Sequence, residues 1–123
     1  MAKQQILTIE DDAAIRRGIV DALQFAGYGT LQSGHGDQGL QLALQSQIDL
    51  ILLDLVLPGR QGFEILQEVR RVRPTLPVII LTARGEETAP RQAREAGANG
   101  YLTKPASSAQ ILGEVAKHLP AVE

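Results

Sequence analysis

Three carboxylates follow short apolar segments that have the composition of β-strands. Asp54 comes directly after the apolar run at 51–53, and Glu10 and Asp11 come directly after the segment at 5–9. A charge at the tip of an apolar strand is costly to bury unless a partner neutralises it. If the fold brings these carboxylates together, two charges about 4 Å apart repel by roughly 4 kcal/mol at an effective dielectric near 20. Either one carboxylate takes up a proton, or a divalent cation binds the group.

The donor set at these positions indicates which cation that would be. Oxygen ligands without histidine or cysteine favour Mg²⁺, with Mn²⁺ as the alternative, over zinc or copper. Two further apolar segments end in a hydroxyl, Thr82, and in a cation, Lys104. A metal, a fixed cation and a hydroxyl around one carboxylate suit phosphoryl transfer, which depends mostly on positioning and charge neutralisation. Asp54 would then be the nucleophile and would form an acyl phosphate.

Strand-like and helical segments alternate along the whole chain. Strands are predicted at 5–9, 28–33, 51–53, 77–82 and 101–105. Helices are predicted at 13–26 with Asp12 as N-cap, at 36–46, between Phe63 and Pro74, at 86–96 with Pro90 as an alternative start, and after a cap at Ser107 or Ser108. Five strands alternating with five helices predict an α/β fold, a doubly wound parallel sheet with helices on both faces.

The strand ends also indicate the order of the sheet. In an open parallel sheet, ligands bind at the carboxyl ends of the strands, where the strand order reverses. The second strand ends in Ser33-Gly34, which is chemically bland and suits an edge position. This favours the order 2-1-3-4-5, with the crevice between strands 1 and 3. We therefore expect the five polar side chains named above to meet at one edge.

Composition bounds the remaining possibilities. The 123 residues predict one domain over 1–123, with 44% hydrophobic residues, 21% charged residues and a net charge of −2. The charge gives no reason to expect nucleic-acid binding by this segment. The absence of cysteine excludes disulfides and thiolate catalysis and is consistent with the cytoplasm. The start of the chain predicts neither a secretory signal nor a membrane span.

Two other patterns receive structural interpretations. The segment at 34–39 fits GxGxxG by letter, but it follows a polar edge strand and has no suitable acid about 20 residues later, so we do not predict dinucleotide binding. The basic run at 70–73 lies at a predicted helix end and is expected to be solvated. His35 and His118 are expected at the surface, because no acid or nucleophile accompanies them to make a catalytic group.

Four motifs, in order and at matching spacing, resemble the receiver domain of two-component response regulators. They are ILTIED at 6–11, LLDLVLPG at 52–59, LTA at 81–83 and YLTKP at 101–105. The resemblance covers essentially the whole chain and implies a flavodoxin-like (βα)5 fold. It also implies a phosphoprotein that takes a phosphoryl group onto Asp54 from a phosphohistidine of a sensor histidine kinase or a phosphotransfer protein. Such a domain assists its own phosphorylation and is not a turnover enzyme.

The resemblance implies a role for each matching residue. Asp11 and Asp54 would bind Mg²⁺ directly together with the backbone carbonyl of Val56, and Glu10 would act through water. Thr82 would contact the phosphoryl group. Lys104 would pair with that group, and the bond from Lys104 to Pro105 is expected to be cis. Tyr101 would be the switch aromatic that moves with Thr82 and changes a surface read by a downstream effector or a fused output domain.

Some positions depart from the branch of the family that carries winged-helix DNA-binding domains. Asn99-Gly100 replaces the usual acidic pair, Ala106 replaces a common phenylalanine, and the last helix lacks that branch's arginines. These departures argue against that branch's dimer and against a DNA-binding output. Val56, two residues after Asp54, cannot orient an attacking water by hydrogen bonding. The sequence therefore predicts slow self-dephosphorylation.

Two other functions use the same residues. An aspartate-nucleophile phosphatase for small phosphoesters usually needs a second carboxylate two residues after the nucleophile, and Val56 cannot serve as that general acid. A degenerate receiver that only binds a partner would not need the full set of acids, hydroxyl and lysine. A phosphatase assay and beryllofluoride binding with Mg²⁺ separate these alternatives from the phosphoacceptor.

Overall fold

The computed structural model describes residues 3–83 and 89–119 of the chain. In these ranges the strands and helices alternate. The strands are β1 (Gln5–Ile9), β2 (Gly29–Ser33), β3 (Leu50–Leu53), β4 (Val78–Thr82) and β5 (Gly100–Thr103). The helices are α1 (Ala13–Phe25), α2 (Gly36–Gln45), α3 (Gly62–Val72), α4 (Ala89–Glu95) and α5 (Ser108–His118). None of these described helices has both the length and the apolar character that a membrane crossing needs.

The sheet is parallel throughout and has the order β2-β1-β3-β4-β5, so the predicted fold class and strand order are confirmed. Ile9 pairs with Leu53 at the ends of the two central strands, and Thr82 pairs with Thr103 further along the sheet. Because all strands run the same way, their carboxyl ends form one edge. The residues that follow β1, β3 and β5 therefore emerge at the same edge of the sheet.

The sheet divides the core into two layers. Alternate residues of β3 face opposite sides, so Ile51 packs in the layer that includes residues of α2 and α3, whereas Leu52 packs in the layer that includes residues of α1 and α5. All four residues of β3 are buried, which explains its continuous apolar sequence. A rigid, fully covered central strand is what fixes the position of Asp54 directly after it.

Local signals set most of the helix boundaries. Asp12 caps α1 by accepting a hydrogen bond from the backbone N–H of Ile15 at 2.9 Å. Gly97 follows α4 with a φ of 107°, which favours glycine. Ser107, rather than Ser108, caps α5 in a capping box with Gln110. The description of α4 begins at Ala89, so the predicted start at 86 lies outside the described residues.

The basic run at the end of α3 is not simply solvated, and that prediction is wrong for two of its arginines. Arg73 donates through Nη1 and Nη2 to the backbone carbonyls that end α2 and precede β3, at 3.0–3.3 Å. Arg70 donates to Gly97 O at 2.8 Å and to Asn99 Oδ1 at 2.7 Å. Arg73 therefore ties the segment between α2 and β3 to the end of α3, and Arg70 does the same for the segment before β5. Arg71 is exposed and pairs with Glu68, one turn away on α3.

We expect Arg73→Ala to lower the free energy of unfolding by about 2 kcal/mol, since a charged donor to partly buried carbonyls contributes about that much. Urea unfolding followed by circular dichroism measures the change. Arg71→Ala is the matched control and should leave the unfolding midpoint nearly unchanged, because exposed ion pairs contribute little. Equal midpoint shifts for the two variants would contradict the structural role of Arg73.

Candidate metal centre

The carboxylates predicted to meet do so at the carboxyl ends of β1 and β3. The backbone N–H of Asp54 donates to Ile9 O at 3.0 Å, which continues the pairing of the two strands past their ends. Carboxylate oxygens of Glu10, Asp11 and Asp54 lie within 4.8 Å of one another. Glu10 and Asp54 are 2% and 6% exposed, whereas Asp11 is exposed. The site is therefore an acidic pocket with one wall open to solvent.

Lys104 supplies the positive charge at this pocket. Its Nζ donates to Asp54 Oδ2 at 2.7 Å and also contacts Glu10 Oε1. The lysine side chain is 14% exposed, so this ion pair is largely removed from solvent. The backbone N–H of Lys104 donates to Thr82 O at 2.9 Å, which holds the residue beside the end of β4. One cation thus bridges two buried carboxylates from different strands.

Burial and pairing shift the protonation of these groups. Burial raises the pKa of Glu10 above its ordinary value, and neighbouring Asp54 raises it further, although hydrogen bonds from Lys104 and the Asp12 N–H oppose the shift. Burial alone would lower the pKa of Lys104, but the bonds to Asp54 and Glu10 outweigh it, so the pKa of Lys104 is raised. The ammonium is therefore charged at neutral pH, while Glu10 titrates closer to neutrality than an ordinary glutamate.

The other predicted site residues are Thr82, Val56, Pro105 and Tyr101. Thr82 is fully buried as the last residue of β4. Val56 is 55% exposed, and its backbone N–H donates to Asp54 Oδ1 at 3.1 Å. The peptide bond from Lys104 to Pro105 is cis. Tyr101 lies within β5, where it is half-buried against the core layer that includes α4 residues rather than at the acidic pocket.

Sequence reasoning missed Arg16, which lies beside the acidic segment. Its Nη1 donates to Glu10 O at 2.7 Å and, with longer geometry, to Asp11 O at 3.5 Å. Its Nε donates to Gln32 Oε1 in β2 at 3.1 Å. Space for the guanidinium comes from Gly34, where an added Cβ would lie 2.6 Å from Arg16 Nη1. The signal was a glycine after the edge strand, which we interpreted as bland.

The first half of the GxGxxG-like segment is also explained by packing. The backbone N–H of Gly36 donates to Pro58 O at 3.0 Å, and a Cβ on Gly36 would meet Arg60 O at 2.2 Å. Contact with the loop after β3 is thus the reason for this glycine. His35 is exposed, as expected, and caps α2 by accepting from the Asp37 N–H at 3.3 Å. These bonds hold the loop that follows Asp54.

The donor set fits a hard divalent cation. Three carboxylates within reach of one ion, with oxygen ligands alone, match the preference of Mg²⁺ for one or two carboxylates plus water and phosphate oxygens. The open side at Asp11 leaves room for those additional ligands. The acidic cluster of Glu10, Asp11 and Asp54 could therefore hold a metal ion.

The fold and this pocket together define a class: a doubly wound α/β domain with an acidic cluster and a buried lysine at the carboxyl edge of its sheet. The family model of the response regulator receiver domain matches residues 6–116. The chain belongs to the response regulator receiver domain family of two-component systems. Receiver domains of response regulators are signalling domains.

Relatives and solved structures are consistent with this assignment. The phosphate regulon transcriptional regulatory protein PhoB of Pseudomonas aeruginosa is 38% identical over 117 residues, which are 94% of this chain and 51% of that protein. Sporulation initiation phosphotransferase F of Bacillus subtilis is 34% identical over 120 residues, 98% of this chain and 97% of that protein. A CheY-like receiver domain from Methanospirillum hungatei JF-1 superimposes with a TM-score of 0.90 at 27% identity, covering 94% of this chain and 93% of that one.

A second solved structure, described as the BeF3-activated DrrB receiver domain, superimposes with a TM-score of 0.89 at 27% identity, covering 98% of this chain and all of that one. The chain spans about half the length of several of the curated relatives it matches. These relatives are named as transcriptional regulators.

Proposed function

We propose that Asp54 accepts a phosphoryl group from a phosphohistidine of a sensor histidine kinase or a phosphotransfer protein. A carboxylate oxygen of Asp54 attacks phosphorus, a new O–P bond forms, and the broken N–P bond leaves its electron pair on the donor imidazole. The observation that carries this proposal is the placement of Asp54: nearly buried, fixed by β3, and bonded to Lys104 at 2.7 Å.

The other residues would prepare the pocket for that transfer. Asp11, Asp54 and the carbonyl of Val56 would hold Mg²⁺, with Glu10 acting through water. When bound, the metal supplies neutralisation of the negative charge on the carboxylates and the incoming phosphoryl oxygens. Lys104 would move its hydrogen bond from Asp54 to the phosphoryl group, and the Thr82 hydroxyl would donate to it.

Phosphorylation would then be read at a surface. As Thr82 turns toward the phosphoryl group, Tyr101 would move further into the space beside α4, and the face formed by α4, β5 and α5 would change. Tyr101 is half-buried against that layer, so such a movement would cover the part of its ring that is now exposed. We propose that residues 1–123 form one receiver domain whose output is taken by a downstream effector or a fused output domain. The departures at Asn99 and Ala106 argue against a DNA-binding output.

The phosphoryl group is expected to persist. Val56 is 55% exposed beside Asp54 and offers no hydrogen bond to an attacking water. We expect Val56→Asn to speed the loss of phosphoryl from Asp54 severalfold. An amide can orient the attacking water but cannot take its proton, so it should give only part of the roughly hundredfold or larger gain of a positioned acid or base. Decay of the phosphorylated protein after removal of the donor measures this rate, with Val72→Asn as an exposed control. A lifetime of only seconds for the unsubstituted domain would contradict the prediction.

Beryllofluoride with Mg²⁺ tests the proposal against its alternatives. As an acyl-phosphate mimic, it should shift the amide resonances of Asp54, Thr82 and Tyr101 in heteronuclear NMR spectra, and only when Mg²⁺ is present. A degenerate receiver would give no shifts. A phosphatase would hydrolyse p-nitrophenyl phosphate with turnover, which a phosphoacceptor should not do.

A further inference from the structure

We infer that Arg16 is a positioning residue for the metal centre, because it fixes the backbone from which Glu10 and Asp11 present their carboxylates. This inference rests on the proposed binding of Mg²⁺ at the acidic pocket. Arg16 lies in α1 and would touch neither the metal nor the phosphoryl group. We infer that it nevertheless controls the affinity of the pocket for Mg²⁺.

The geometry places the Arg16 guanidinium across the end of β1. Nη1 donates to Glu10 O at 2.7 Å and reaches Asp11 O at 3.5 Å, while Nε is held by Gln32 Oε1 at 3.1 Å. The guanidinium thus connects α1, the end of β1 and the neighbouring strand β2. Because its fork is planar, the bond to Gln32 fixes the direction from which Nη1 meets the carbonyls.

The two carbonyls belong to Glu10 and Asp11, whose carboxylates form the acidic pocket together with Asp54. Beyond β1 the chain leaves the sheet, and the bond from Glu10 N–H to Ser33 O at 2.9 Å is the last one to β2. Asp11 is exposed and lies one residue further on. Its carboxylate reaches the acidic pocket only if the peptide planes on both sides keep their orientation, and Arg16 bonds the carbonyls of both those planes.

Gly34 is the counterpart of this arrangement. An added Cβ would lie 2.6 Å from Arg16 Nη1 and 3.6 Å from Glu10 O, so a side chain here would displace the guanidinium before it met the backbone. The φ of Gly34 lies outside the left-handed region that favours glycine. Alanine is therefore allowed by the backbone at this position, and its effect would act through Arg16.

The test is the Mg²⁺ affinity of the whole domain, measured by isothermal titration calorimetry beside unfolding in urea with EDTA. We expect Arg16→Gln to weaken Mg²⁺ binding about tenfold, as loss of a residue that orients metal ligands commonly does. Arg16→Lys should weaken Mg²⁺ binding less than Arg16→Gln does. Its ammonium keeps the positive charge but lacks the planar set of donors that bonds Gln32 and the two carbonyls at once. Arg17→Gln removes the neighbouring exposed charge and should leave the affinity within about twofold of the original.

A double-mutant cycle separates positioning from a general loss of structure. Gly34→Ala should weaken Mg²⁺ binding in the original background and have no further effect in the Arg16→Gln background, where nothing remains to displace. Additive effects of the two substitutions would contradict the inference. If Arg16→Gln does not fold, unchanged affinity in both Arg16→Lys and Gly34→Ala overturns it equally.

Failure of the positioning role of Arg16 and failure of the proposed Mg²⁺ binding give different results. Normal Mg²⁺ binding by the unsubstituted domain together with unchanged affinity in a folded Arg16→Gln variant contradicts the positioning role alone. Absence of Mg²⁺ binding by the unsubstituted domain contradicts the proposed function, and the role of Arg16 with it.

Discussion

Asp54→Asn is expected to abolish phosphoryl transfer from acetyl phosphate to this domain. An amide oxygen is a far weaker nucleophile than a carboxylate. Glu10 is also buried and also contacts Lys104, but we propose that it acts at the metal through water rather than as the acceptor. The substituted side chain keeps an oxygen that can accept from the Val56 N–H, so the loop after β3 should keep its shape. Separation of phosphorylated from unphosphorylated protein by Phos-tag electrophoresis measures the loss.

Asp12→Asn is the matched control for this substitution. Asp12 lies beside the same pocket but caps α1, a role in which asparagine serves as well as aspartate. Phosphorylation of this variant should therefore proceed at the rate of the unsubstituted domain. Undiminished labelling of Asp54→Asn would mean that another residue is the acceptor.

Lys104→Ala is expected to lower the free energy of unfolding by about 3 kcal/mol at neutral pH without Mg²⁺, because removing one partner of a buried ion pair leaves uncompensated buried charge. Here two carboxylates, Glu10 and Asp54, lose their shared cation. Urea unfolding in EDTA measures the change. Lys117→Ala removes an exposed lysine that also pairs with a glutamate, and it should have little effect.

The pH dependence of this deficit has a definite sign. Burial already raises the pKa of Glu10 above its ordinary value of 4.5, and loss of Lys104 raises that pKa further. A carboxyl with a raised pKa in the folded state costs stability as pH rises through that pKa, because the folded state binds more protons than the unfolded one. The deficit of Lys104→Ala should therefore shrink as pH falls toward 4.5. A deficit that grows on acidification would contradict the assignment of the buried charges.

The strand order was predictable because the information is local. An apolar run such as 51–53 favours a central strand covered on both faces, and the more polar composition of β2 favours an edge strand. Parallel strands bring their carboxyl ends together whatever the lengths of the helices between them. Asp54 and Lys104 could therefore be placed at one edge although 50 residues separate them.

What sequence reasoning missed are bonds from long side chains to loop carbonyls. Arg16 and Arg73 have ordinary surface-helix sequence contexts, and nothing in their spacing names the carbonyls they reach. The partner of such a bond is set by tertiary packing, since a flexible stem can reach several loops. A strand boundary differs as well: β5 ends at Thr103, whose partner Thr82 is the last residue of β4, and the N–H of Lys104 then donates to Thr82 O beyond the end of the strand.

We propose that Asp54 is the phosphoacceptor and that it needs a divalent cation. Mapping of the phosphorylated residue by mass spectrometry after incubation with acetyl phosphate, with the acyl phosphate reduced by borohydride to mark its position, tests this directly. We expect a single labelled site at Asp54 in Mg²⁺ and none in EDTA. Labelling at any other residue, or equal labelling without the metal, would contradict it.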